Sequence, residues 1–118
     1  LSINGIFFSE NVILNNMEIE KWDLEWGELN EPNMKKKLEN EGFNVMVYSY
    51  PPGTYFSNHS HDIDKKDTVL KGTFKLEALG KIFMLSPGDM LLVPANTIHN
   101  AEVIGNETVI SLDATKKG

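Results

Sequence analysis

From Phe43 onward the chain is cut into short apolar runs by glycine and proline, and this punctuation limits what it can fold into. Phe43–Tyr50 is rich in Val and Tyr and stops at Pro51-Pro52-Gly53. Tyr55–His61 follows. Asp67–Leu79 carries Val69, Phe74 and Leu76 and stops at Gly80. Lys81–Leu85 stops at Pro87-Gly88-Asp89, and Met90–Val93 at Pro94-Ala95-Asn96. Ile98–Ile104 stops at Gly105-Asn106, which reads as a hairpin signal, and Thr108–Leu112 closes the set. β-branched and aromatic residues between turn signals at such spacing predict strands. Short, punctuated strands in series predict an all-β sandwich or barrel. The residues alone do not choose between the two.

The first 42 residues read differently. Phe7, Phe8, Val12, Ile13 and Leu14 form an apolar lead, and Trp22 and Trp26 follow. So much apolar surface calls for a partner, either the barrel wall or a second subunit. A short helix is expected next, with Asn30 as N-cap, Pro32 in its first turn and Gly42 beyond its end. Leu29 and Met34 are spaced for a hydrophobic staple, and Met34 and Leu38 share one face. Lys35-Lys36-Lys37, followed by Glu39 and Glu41, reads as a solvated helix face.

At 118 residues the chain has room for one core, so a single domain is expected, with residues 1–42 as lead and 43–112 as barrel body. A net charge of −6 argues against a nucleic-acid partner, which needs a basic face. The absence of cysteine removes disulfides and thiolate ligands and fits a cytoplasmic protein. No apolar run is long enough to span a bilayer, and the first residues lack the pattern of a signal peptide. The chain starts at Leu1 without an initiator methionine, which leaves the native start open.

The chemistry lies in the three histidines, His59, His61 and His99. On a regular strand His59 and His61 face the same side, because side chains alternate with period two. Alternation would also put Tyr55 on that side and Phe56 on the other. A third histidine from a distant strand can close a metal site. An isolated His-x-His pair is short and equally compatible with an exposed strand. The wider spacing is more specific: Gly53-x5-His59-x-His61, with Gly72 downstream, then Gly88-x5-Pro94-x-Asn96-x2-His99. Gly53, Gly72, Gly88 and Pro94 are expected to shape turns rather than touch a ligand. No nucleophile–base pair is visible. Ser57 and Ser60 sit in no nucleophile-elbow context, and there is no phosphate-binding glycine loop.

Over about Val45–Leu112 this arrangement resembles the two motifs of the cupin superfamily. The resemblance implies a double-stranded β-helix, or jelly-roll, barrel that commonly holds a metal, and pairing into homodimers through N-terminal segments. It departs at two positions. Asn96 stands where glycine is usual, and asparagine tolerates positive φ better than other residues with a side chain. Lys65 stands where a glutamate ligand is usual. The implied metal set is therefore His59, His61 and His99 alone, with Lys65, Asp64 and Tyr55 as further pocket residues. An ammonium about 5 Å from a dication is repelled by about 6 to 7 kcal/mol at an effective dielectric near 20. Lys65 has three ways out: to turn away and pair with a carboxylate such as Asp67, to stay inside and neutral, or to take the metal's place. The first is the expected one. Asp62 and Asp64 flank the site and would bring back a carboxylate only if a bulge shifted the register.

The leading functional expectation is a divalent metal site, with Fe, Mn, Zn and Ni not distinguished, serving a dioxygenase-like or isomerase-like enzyme acting on a small organic molecule. The alternative is a metal-free module that binds a small molecule or anion through Lys65. A third, weaker reading is an assembly protein whose pocket is vestigial and filled by side chains.

Overall fold

The computed structural model describes residues 17–117. A 3-10 turn at Leu24–Trp26 leads into helix α1 (Glu31–Asn40). Eight strands follow: β1 (Phe43–Tyr50), β2 (Tyr55–His59), β3 (Lys65–Thr68), β4 (Thr73–Ala78), β5 (Lys81–Leu85), β6 (Met90–Val93), β7 (His99–Ile104) and β8 (Val109–Lys116). They form two four-stranded sheets, β1-β8-β3-β6 and β2-β7-β4-β5, with every pair antiparallel. This is the expected all-β jelly roll with one short helix before it.

α1 begins as its sequence dictates. The Asn30 side chain accepts from the Asn33 N–H at 2.9 Å, and Pro32 sits in the first turn, where its missing N–H has no partner to lose. Leu29, Met34 and Leu38 bury together with Phe43, Val45, Leu112 and Ala114, so the helix covers the outer face of the β1–β8 pair. Trp22 joins this cluster. Trp22 thus finds cover against the helix cluster and packs edge-on to Trp26, while Trp26 stays partly exposed with the Lys37 ammonium 4.4 Å above its ring. Phe7, Phe8, Val12, Ile13 and Leu14 lie outside the described residues. Lys37 corrects one expectation. Lys35 and Lys36 are exposed, but the Lys37 side chain is only 8% exposed. It pairs with Glu20 and Glu41, which also hold Lys66 of β3. Desolvation would raise Glu20 and Glu41, but hydrogen bonds and charge from the two lysines outweigh it and hold both carboxylates below their usual range.

Between the sheets lies the main core, including Val69, Phe74, Leu76, Leu85, Leu91, Val93, Val103 and Val109. Two connections differ from expectation. The run expected from Asp67 to Leu79 is two strands in different sheets. At Gly72 (φ 85°) the chain crosses over, and a Cβ there would stand 2.8 Å from the Thr108 carbonyl oxygen. Gly105-Asn106 is not a hairpin either: it joins β7 in one sheet to β8 in the other. An apolar run carries no mark of which sheet it enters.

Candidate metal centre

His59 and His99 face each other directly across the β2–β7 pair. The ladder slips between Phe56 and His59, and β2 ends at His59, so His61 lies beyond the strand. The second motif holds it in place: the Asn96 N–H donates to the His61 carbonyl at 2.6 Å. Asn96 adopts φ 64°, the conformation that glycine or asparagine tolerates. The slip also reverses the expected aromatic faces. Phe56 pairs with buried Ala101 and packs its ring against Tyr50 and Phe74, whereas Tyr55 pairs with Glu102 and is largely exposed. Tyr55 nonetheless lines the cavity, as expected.

The three imidazoles converge. Ring centroids are 4.2 Å apart for His59–His99, 4.9 Å for His59–His61 and 5.5 Å for His61–His99. One ligand atom from each lies within 4.8 Å of the others. The Nδ1–H of His59 donates to the Ser57 carbonyl at 2.7 Å, and that of His99 to the Thr97 carbonyl at 2.9 Å. Each bond assigns the proton to Nδ1 and leaves Nε2 its lone pair, the arrangement that orients metal-binding histidines. His61 Nε2 is buried with no hydrogen-bond partner. Desolvation, then Lys65 and His59, push His61 below the usual imidazole range. Desolvation, helped by the other two histidines and Lys65, does the same to His99 against the Thr97 bond. Neutral imidazoles are the form a metal binds. Three such nitrogens on one point, one of them buried and unsatisfied, fit a divalent ion.

The cavity around them is about 600 Å³, the size of a small-molecule site. Tyr48, Tyr50, Phe56 and Phe74 form its aromatic wall, and Lys65, Asp67 and Asp113 its charged end. It is therefore open, not filled by side chains. Lys65 does find a carboxylate, but not Asp67 and not by leaving. Its Nζ lies 3.0 Å from Asp113 Oδ1, with both side chains about 15% exposed. Asp67 stands opposite Asp113 in the β3–β8 register and keeps some surface in the cavity. Desolvation first, and Asp113 second, push its carboxyl up to about 7. The same carboxylates, after desolvation, push the Tyr50 phenol up. Asp64 does not line the cavity. Its side chain accepts from the Ala95 N–H at 2.7 Å and ties the two motif loops together. Asp62 is exposed. Asp113 was missed because the last strand was expected to stop at Leu112. The available signal was the alternation Val109, Ser111, Asp113, Thr115, a face turning polar toward an interior.

A family model described as the cupin domain matches residues 46–115. Over 62 residues the chain is 39% identical to a bifunctional lysine-specific demethylase and histidyl-hydroxylase from Branchiostoma floridae, covering 49% of this chain and 10% of that protein. Over 106 residues it is 32% identical to a trans-cinnamate 4-monooxygenase from Petunia hybrida, covering 86% of this chain and 18% of that one. The chain thus spans less than a fifth of either curated relative. Among solved structures, the cupin domain of Cnp3 from Schizosaccharomyces pombe superposes with a TM-score of 0.60 at 17% identity, covering 65% of this chain and 57% of that one. That likeness is one of fold. With two facing jelly-roll sheets, both glycine–histidine motifs in place and the match across residues 46–115, the chain belongs to the cupin domain family.

Proposed function

We propose that the chain holds one divalent metal ion through His59, His61 and His99 and uses it to act on a small organic molecule seated against the aromatic wall. The observation that carries this is the convergence of the three imidazoles, two of them with Nδ1–H tied to backbone carbonyls. Bound there, the ion would supply Lewis-acid or redox chemistry at coordination positions open to the cavity. The protein's own part is to fix the tautomers of His59 and His99, to enclose the substrate between Tyr50, Phe56 and Phe74, and to set charge through Lys65, Asp67 and Asp113. The curated relatives carry hydroxylase, demethylase and monooxygenase activities by name, which favours an oxygen-using reaction over isomerisation. We further propose a single-domain cytoplasmic homodimer.

A second reading is favoured by one observation: Lys65 lies inside the cavity, where it would hold an anionic ligand without a metal. Its pairing with Asp113 weakens that reading, because an incoming anion must displace a carboxylate already in place. Elemental analysis of protein purified without a histidine tag separates the two. About one equivalent of a transition metal per chain, lost in His99→Ala, supports the metal centre. A metal-free protein that takes up no divalent ion on reconstitution overturns it.

A further inference from the structure

Two buried side-chain atoms among the described residues stand without a hydrogen-bond partner: His61 Nε2 and Asp113 Oδ1. Both residues line the same cavity. Buried polar atoms are nearly always paired, so two orphans facing one space point to something that joins them there. The Lys65 ammonium balances Asp113 by charge at 3.0 Å, without an aligned hydrogen bond. On its other side Asp113 meets Asp67, its direct neighbour across the β3–β8 ladder. Desolvation, then the charge of Asp113, raises the Asp67 carboxyl above its usual range.

We propose that Asp113 is the carboxylate of the metal centre: from β8 it supplies the negative charge that a ligand at position 65 would otherwise bring, and Lys65 is its counter-ion until a divalent ion competes for it. The proposal rests on the three-histidine reading above. With Lys65 alone, the cavity would confront a dication with an unbalanced ammonium, the repulsive case. With Asp113 beside it, Lys65 adds no net charge, and loading becomes an exchange of one cation for another at the same oxygen. Among the described residues the atoms within 4.8 Å of one another belong to the three histidines only. Asp113, paired with Lys65, lines the same cavity as that point.

The test is calorimetric titration of zinc and of manganese into the wild type, Asp113→Asn, Lys65→Met and the double variant, with folding checked by circular dichroism. Asp113→Asn should weaken manganese by about tenfold or more, and zinc by less, because the harder ion depends more on carboxylate oxygen. Lys65→Met should tighten both ions, and that gain should vanish in the double variant. If Asp113→Asn alone fails to fold, the comparison of Lys65→Met with the double variant still isolates the Asp113 charge. Affinities unchanged by Asp113→Asn, or a Lys65→Met gain that persists in full in the double variant, overturn the role of Asp113 and leave the three-histidine centre standing. Uptake that survives His99→Ala, or no uptake in any of the four proteins, overturns the three-histidine centre and this proposal with it.

Discussion

Thr68 closes the ladder between β3 and β8 with its side chain. Its hydroxyl donates to the Leu112 carbonyl at 2.8 Å and accepts from the Leu112 N–H at 3.1 Å, fully buried. That bond fixes the register that sets Asp67 opposite Asp113. Thr68→Val keeps the shape and orphans two buried backbone groups, so it should cost about 2–4 kcal/mol in urea unfolding. Asp67 makes a prediction in pH. Its carboxyl is raised from 3.8 to about 7, so the folded chain binds that proton more tightly than the unfolded one. The associated stability is complete below 3.8 and is lost as pH rises to about 7. Asp67→Asn removes this loss, so variant minus wild-type unfolding free energy should grow across that window and then level off. The depressed His61 and His99 act in the opposite sense but occur in both proteins and cancel in the difference. Lys65→Glu carries two opposed effects. It places a third carboxyl beside Asp67 and Asp113, which should lower the melting temperature of the metal-free protein. It also supplies a ligand, so added manganese should raise that temperature by more than it does in the wild type.

The elements are held in place by few and specific contacts. α1 depends on its buried face rather than on propensity, since a helix of ten residues is marginal alone. The four-membered network of Glu20, Lys37, Glu41 and Lys66 joins lead, helix and β3, but its carboxylates are about a third exposed and its worth is screened accordingly. Gly72 is the tighter constraint. It combines φ 85° with a Cβ position 2.8 Å from a backbone oxygen, at the point where the chain leaves one sheet for the other. Gly72→Ala should therefore destabilise by about 1–3 kcal/mol, seen as a lower urea midpoint with an unchanged slope. An unchanged midpoint would show that the crossover relaxes freely.

For the molecule as a whole, the proposed site lies where the two sheets face each other. His59 and His99 belong to one sheet, while Lys65, Asp67 and Asp113 belong to the other. An ion that binds only the folded state at about a hundred times its Kd stabilises by about 2.7 kcal/mol. A reconstituting divalent ion should raise the wild-type melting temperature and leave that of His99→Ala unchanged. The strand series, the helix with its Asn30 cap and the three histidines were legible in the amino-acid order, because each is set by local spacing and turn chemistry. So was the tolerance of Asn96 for positive φ. Which strand joins which sheet was not legible: a turn at Gly72 was, but not that it carries the chain from one sheet to the other beside Thr108. Nor were the faces of Tyr55 and Phe56, which a one-residue slip in β2 exchanges. The partner of Lys65 was hidden for the same reason: Asp113 lies 48 positions away and meets it only through the pairing of β3 with β8. Local chemistry writes itself along the chain, whereas register and cross-strand charge exist only once the two sheets have chosen their neighbours.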